Sequence, residues 1–259
     1  MLKIYIISLA HDIDKRANIK TALDAMCINY EFIDAVYGRE LDETILLNLN
    51  QDGILKKRGY SATLGEIGCS ISHTIALKKI ITENVEWGCI LEDDVILDHR
   101  FKNFYDNFYK VSHDTNTLYL LGGQEGLITR HLFSKSVIYR KYIGELRFHK
   151  VMYTEKYVTR ACAYVISNQA CHRYLSLYME KFFLTDNWDY LIGKKIFKQI
   201  FFSSFVKHPI DLSKSNLEKE RLLGYKNTKG FKDYFVYKLL SKVSFIIKFM
   251  LSILKKYLP

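Results

Sequence analysis

Trp87-Gly88-Cys89-Ile90-Leu91-Glu92-Asp93-Asp94-Val95-Ile96-Leu97 is an apolar run that breaks into three consecutive carboxylates and then turns apolar again. Its first half reads as a buried strand of a parallel sheet, and such sheets bind ligands just beyond the carboxyl ends of their strands. Glu92 to Asp94 falls at such an end. Three adjacent acids repel one another, and a cation among them removes that cost. Oxygen donors on a short loop suit Mg²⁺ or Mn²⁺, which complete their shells with water and a substrate's phosphates. The stretch therefore predicts a metal–diphosphate site in an α/β protein. The bland alternative is a solvated turn or a helix N-cap, so the surrounding sequence has to decide.

Upstream lies a second polar cluster, Leu64-Gly65-Glu66-Ile67-Gly68-Cys69-Ser70-Ile71-Ser72-His73. The segment from Gly65 to Glu83 predicts a helix with Ile67, Ile71, Ile75, Ala76, Ile80 and Ile81 on its apolar face. Glu66, Ser70 and His73 then line one edge, where His73 either contacts a phosphate or orients a carboxylate. Further upstream, Lys3 to Leu9 predicts a first strand, and Asp12 is placed to cap a helix through Met26 that buries Ile13, Ala17, Ile19, Leu23 and Met26. Arg16 falls one turn inside that helix, either reaching over the strand end toward an anion or lying on the surface. Tyr30 to Ala35 alternates as a second strand.

Downstream, His99 to Val111 predicts an aromatic helix whose Phe101, Phe104, Tyr105, Phe108 and Tyr109 read as core. Leu118 to Leu121 is a short strand ending in Gly122-Gly123-Gln124, where missing side chains admit a ligand or a neighbouring backbone. Ser136 to Tyr153 predicts an antiparallel excursion, and Val158 to Ser167 a strand whose Ala161 and Ala163 leave room for a sugar. A helix through Lys181 follows, capped by Ser167 or Asn168. In Leu184-Thr185-Asp186-Asn187-Trp188-Asp189-Tyr190 two carboxylates flank an indole, a combination suited to sugar transfer: the ring packs on a pyranose and a carboxylate deprotonates an attacking hydroxyl. Asp186 is equally placed to cap a helix. Phe201 to Val206 predicts a last strand, with His208-Pro209 at its end as a metal ligand or a turn residue.

Composition limits the classes of function. The chain of 259 residues is 49% hydrophobic and 25% charged, has two prolines, and is long enough for a full α/β core. Its five cysteines (Cys27, Cys69, Cys89, Cys162, Cys171) lack metal-ligand spacing and read as reduced residues of a cytosolic protein. The first nine residues are too short for a signal peptide. Of the formal charge of +10, the eight lysines and one aspartate from Lys226 to Pro259 carry +7. The body is nearly balanced and shows no basic stripe with interleaved stacking residues, which argues against nucleic acid.

Taken together, the first strand with Arg16, the block from Gly65-Glu66 to Ser72-His73, Leu91-Glu92-Asp93-Asp94-Val95, Ala163-Tyr164-Val165-Ile166-Ser167, the Asp186 segment and His208-Pro209 resemble, in order and spacing, glycosyltransferase family 25 over about residues 1 to 215. That family includes bacterial lipopolysaccharide and lipooligosaccharide galactosyltransferases. The resemblance implies a GT-A type nucleotide-sugar-binding fold, a Rossmann-like mixed sheet, with residues 1–225 as the transferase domain. It implies inverting transfer of a hexose, galactose before glucose, from a UDP-sugar such as UDP-galactose, with Mn²⁺ or Mg²⁺ at the acidic motif. Carried onto this chain, Glu92 and Asp94 with His208 are the metal ligands, Asp186 or Asp189 is the catalytic base, and Ser8, Leu9, Arg16, Glu66, His73, Asp93 and Gly122 line the donor. Two departures stand out: Ser8 occupies a position commonly asparagine, and Arg160-Ala161-Cys162 replaces a more usual glycine/threonine segment.

Residues 226–259 predict a basic amphipathic helix with a lysine stripe and no apolar stretch long enough to span a bilayer, where ~20 residues are needed. Such a tail lies on an anionic surface or packs against the body or a partner subunit. With a lipid-linked oligosaccharide acceptor it places the protein peripherally on the cytoplasmic face of the bacterial inner membrane. Two other classes of function remain: a metal-dependent nucleotidyltransferase and a catalytically silent membrane-binding module.

Overall fold

The computed structural model describes residues 1–58 and 61–211. The domain boundary expected near residue 225 and the basic tail helix lie outside the described residues. No helix among those described is long and apolar enough to cross a membrane.

The chain opens with β1 (Lys3–Ser8), α1 (Ile13–Ala25) and β2 (Tyr30–Asp34), followed by two short helices, α2 (Glu43–Asn48) and α3 (Asp52–Arg58). Next come α4 (Leu64–Thr82), β3 (Trp87–Glu92), α5 (His99–Asn107) and β4 (Thr117–Gly122). A hairpin of β5 (Lys135–Ile143) and β6 (Leu146–Val151) precedes β7 (Ala163–Ser167), α6 (Asn168–Glu180), α7 (Trp188–Gly193) and β8 (Gln199–Val206). The eight strands form one sheet in the order β2-β1-β3-β7-β4-β8-β6-β5.

The expected α/β architecture is present, but β3 is not flanked by parallel strands on both sides. It runs parallel to β1 and antiparallel to β7, which also lies antiparallel to β4, while β4 and β8 are parallel. The sheet is therefore mixed. Alternation along each strand feeds two cores. Tyr5, Ile7, Ile90, Leu118 and Leu120 meet Leu77 and Ile80 of α4 and Tyr174 of α6 on one face. Ile4, Ile6, Cys89, Leu91, Tyr119 and Leu121 meet Ile19 and Leu23 of α1 and Phe101 and Phe104 of α5 on the other. A strand covered on both faces must be apolar at every position, which is why β3 reads as a continuous run.

Several local expectations change. In α1, Ile19 and Leu23 are buried, but Ile13 is 72% exposed and Ala17 is exposed too. Asp12 precedes α1 without a side-chain capping bond and instead pairs with Lys15 at 2.8 Å. Ile75 of α4 is partly exposed, and polar Ser72, His73 and Thr74 are buried in its stead. The strand expected from Val158 begins only at Ala163, because Arg160 takes a left-handed backbone. Ser167, not Asn168, caps α6, its hydroxyl accepting from the Ala170 N–H. The predicted aromatic core of α5 holds for Phe101, Phe104, Tyr105 and Phe108, while Tyr109 is exposed.

That aromatic core contains a titratable group. The His113 ring stacks on Phe108 at 3.9 Å, with one nitrogen 2.8 Å from the Tyr119 hydroxyl and the other 2.7 Å from the Phe108 carbonyl. Both contacts are satisfied by neutral imidazole, and burial, helped by nearby Lys141, pushes His113 down to about 4 against the pull of the Phe108 carbonyl. Below pH 6.5 the unfolded chain binds a proton that the native chain refuses, so stability falls as pH drops from 6.5 toward 4. Discounted for the ring's partial exposure, the loss is about 1–2 kcal/mol. Urea melts of wild type and His113→Gln across this window should show the steeper acid decline only in the wild type.

Candidate active site

Because β3, β4 and β8 share one direction with β1, their carboxyl ends gather at a single edge of the sheet, where antiparallel β7 enters. Glu92 ends β3, Ser8 ends β1, Gly122 ends β4, and His208 follows β8. A bridge between Ile96 and Lys207 ties the loop after β3 to the segment after β8. The sequence-distant acids and histidine are thereby brought together.

Glu92, Asp94 and His208 each present one ligand atom, all within 4.8 Å of one another. His208 Nδ1 lies 2.9 Å from the Pro209 carbonyl, so it donates there and leaves Nε2 to face Asp94 Oδ2 at 3.4 Å. A backbone carbonyl on the other ring nitrogen is the usual support of a metal-binding imidazole. Asp94 Oδ1 is buried with no hydrogen-bond partner. An acceptor left bare in the interior is costly unless a cation meets it, so the donor set fits a hard or borderline divalent ion. Burial alone would raise the Asp94 carboxyl, but the His208 contact and charge outweigh it and hold it below the usual carboxylate range. His208 is lowered by burial and raised by Asp94, and the balance is upward.

Asp93 turns the other way. Its Oδ2 accepts from the Ser8 hydroxyl at 2.6 Å, and Lys15 approaches within 3.8 Å. Burial pushes Asp93 up to about 6 although the Ser8 bond and Lys15 oppose it. Arg16 is not a free surface residue. Its guanidinium donates to the carbonyls of Ser8 (2.8 Å) and Leu9 (3.1 Å), meets Asp34 at 2.5 Å and lies 4.9 Å from the Phe32 ring centroid. Arg16 thus fixes the turn that carries Ser8 and Leu9.

His73 is fully buried, with Nδ1 3.0 Å from the Tyr164 hydroxyl and Nε2 3.3 Å from Glu92 Oε1. The contact with Glu92 is the geometry of the second alternative, a histidine beside the carboxylate it would orient. Glu66 sits two turns away at the start of α4, where its carboxylate accepts from the Thr63 N–H while Thr63 accepts from Glu66, a reciprocal capping box. Gly122 opens no space for a ligand: a Cβ there would overlap the Val206 carbonyl, so the glycine serves the approach of β8.

The residue missed from sequence is Arg160. It has φ 61°, donates its backbone N–H to Asp186 Oδ2 at 3.1 Å, accepts from the Trp188 indole at 3.3 Å, and donates its side chain to the Gly123 and Glu125 carbonyls at 2.9 Å. Glu125 in turn accepts from the His208 N–H at 3.4 Å and from Ser204 at 3.1 Å. Arg160 consequently links Asp186 to the His208 side of the site. The departure from a glycine/threonine segment was the available clue, since glycine is what a left-handed backbone favours. Trp188 is 1% exposed and packs on Tyr164 at 5.6 Å, and Ala161 and Ala163 are buried, so none of them lines a sugar pocket. Asp186 does not cap α7; Asn187 holds that position. Asp189 is exposed in the first turn of α7, and its charge helps to raise Glu155, whose burial raises it more. Replacing Arg160 by alanine should destabilise by about 2–3 kcal/mol, since two side-chain bonds are lost and the strained backbone stays. Arg160→Gly should recover about 1 kcal/mol of that in urea denaturation, since glycine pays no left-handed cost.

The family model for glycosyltransferase family 25 (LPS biosynthesis protein) matches residues 1–191. Procollagen galactosyltransferase 1-B of Xenopus laevis is 34% identical over 107 residues, 39% of this chain and 17% of that protein. Procollagen galactosyltransferase 2 of Homo sapiens is 31% identical over 126 residues, 46% of this chain and 20% of that one. The inactive glycosyltransferase 25 family member 3 of Mus musculus is 34% identical over 110 residues, 41% and 17% of the two chains. The match therefore spans a fifth or less of these relatives. Among solved structures, a glycosyltransferase involved in glycosylation of the major capsid of PBCV-1 aligns over 84% of this chain and 98% of its own, with TM-score 0.41 and 9% identity.

Proposed function

Since this chain belongs to glycosyltransferase family 25, we propose that it is an inverting glycosyltransferase of GT-A type that moves a hexose, galactose before glucose, from a UDP-sugar to a saccharide acceptor. The family also holds a member named inactive, so membership alone does not carry the activity. The carrying observation is the convergence of Glu92, Asp94 and His208, with a bare Asp94 oxygen among them.

Glu92, Asp94 and His208 would hold Mn²⁺ or Mg²⁺, which supplies neutralisation of the charge that develops on the departing diphosphate. The remaining steps fall to the chain's own groups. His73 fixes the orientation of Glu92, and Arg16 fixes the Ser8–Leu9 turn beside Asp93 on the donor side. Asp186 or Asp189 takes the proton from the acceptor hydroxyl as it attacks the anomeric carbon from the opposite face. The acceptor we propose is a lipid-linked oligosaccharide of lipopolysaccharide or lipooligosaccharide type, with the basic tail of residues 226–259 on the anionic cytoplasmic face of the inner membrane. The family's description as an LPS biosynthesis protein and the lysine-rich tail support this reading.

The test is UDP release by the purified full chain from UDP-galactose and UDP-glucose, with truncated lipooligosaccharide acceptors. Release should be fastest with UDP-galactose and fall by about 10²-fold or more on chelation. Pyrophosphate release from a nucleoside triphosphate with no UDP release would make the protein a nucleotidyltransferase. Failure to bind UDP with Mn²⁺ alongside tight vesicle binding would leave a membrane module.

A further inference from the structure

Glu92 belongs to a second group of ligand atoms. Cys69 and His73, one turn apart on α4, face the end of β3, and Cys69, His73 and Glu92 each offer an atom within 4.8 Å of the others. We propose that Cys69, His73 and Glu92 form a binding site for a thiophilic divalent cation of the Zn²⁺ or Cd²⁺ type, separate from the oxygen-rich group around Asp94.

The donor chemistry sets the two groups apart. A thiolate and an imidazole with one carboxylate is a set that selects Zn²⁺ or Cd²⁺ over Mg²⁺ or Mn²⁺. The imidazole is already aimed. His73 is held from behind by the Tyr164 hydroxyl at 3.0 Å, and its Nε2 faces Glu92 Oε1 at 3.3 Å. An oxygen partner on the outer nitrogen is what orients a metal-bound histidine. When the cation takes His73 Nε2, the neutral ring carries its proton on Nδ1, where the Tyr164 hydroxyl oxygen accepts it, and the Cys69 thiol proton passes to solvent. Four-coordinate zinc separates neighbouring ligand atoms by about 3.3–3.8 Å, so small side-chain rotations close the observed gap. An ion can also enter, because Cys69 is partly exposed whereas Cys89, Cys162 and Cys171 are buried. Among the described residues no other cysteine joins such a group.

Glu92 is shared, so an ion held by Cys69 and His73 draws on the carboxylate that the Asp94–His208 group also uses. That consequence, an inhibitory coupling, rests on the glycosyltransferase reading above; the site itself does not.

The experiment is alkylation of the full chain by iodoacetamide after chelator treatment, with and without saturating Cd²⁺, mapped by peptide mass spectrometry. No donor or acceptor is present, so its failure is separate from failure of the transferase reading. Exposed Cys27 should label equally in both arms and serves as the internal control, whereas Cys69 should label at least about tenfold more slowly with Cd²⁺. Equal labelling of Cys69 in both arms, or none in either, overturns the proposal. As a second readout, Cd²⁺ should give a thiolate charge-transfer absorbance in wild type and Cys27→Ser that Cys69→Ser lacks. Retention of that band by Cys69→Ser also overturns it.

Discussion

Replacing Asp94 by alanine lowers Mn²⁺-dependent UDP release by about 10²-fold or more, while the melting temperature moves only a few degrees. The two halves of this expectation come from the same side chain. Oδ2 meets His208 at 3.4 Å, so the replacement loses an ion pair, but Oδ1 has no partner, so it also removes a bare buried acceptor. These effects oppose each other in stability, whereas function loses the ligand atom that Asp94 offers to the proposed metal group. Asp94→Asn keeps the shape and removes the charge, and should lose metal affinity just as fully by calorimetry. The acid limb of stability should flatten in both variants. Asp94 sits below its ordinary range, so its contribution is present above the unfolded value and is lost as pH falls through the folded one. An Asp94→Ala protein that keeps Mn²⁺-dependent release within a few-fold of wild type would remove the acidic cluster from the mechanism.

Much of this site was legible before the fold. An apolar run ending in Glu92-Asp93-Asp94 is a strong pattern because β3 is covered on both faces, and the strand ends where the acids begin. His208 could be paired with Asp94 from sequence only through the logic of strand ends, since more than a hundred residues separate them. The bridge from Ile96 to Lys207 is the physical reason that the pairing is real. What pattern could not supply was neighbourhood. The five residues of β7 read as a strand, yet nothing in them says that it inserts antiparallel between β3 and β4. Nor does composition say whether an indole faces a sugar or the interior. Trp188 lies inside because its N–H finds the Arg160 carbonyl there, so the ring can be buried without leaving a polar group unpaired. The same holds for Gly122, whose missing side chain is explained by the Val206 backbone and not by a ligand.

The family resemblance puts Asp186 nearest the expected catalytic carboxylate with Asp189 as the alternative, and their surroundings separate what each replacement should do. Asp186 accepts the backbone N–H of Arg160, whose left-handed conformation depends on outside support, while Asp189 is exposed on α7. Asparagine at 186 can still accept that N–H through its amide oxygen, so Asp186→Asn removes basicity and leaves the Arg160 scaffold in place. It should lower kcat by about 10²–10⁴-fold with little change in KM or melting temperature. Asp189→Asn should stay within about threefold of wild type. Asp186→Ala strips Arg160 of its acceptor and should add a stability loss of about 1–3 kcal/mol to the kinetic one. If Asp186→Asn retains wild-type turnover and Asp186→Ala loses both stability and turnover, Asp186 is the anchor of Arg160 and nothing more. The base must then be sought at Asp189, whose own replacement would carry the kinetic loss.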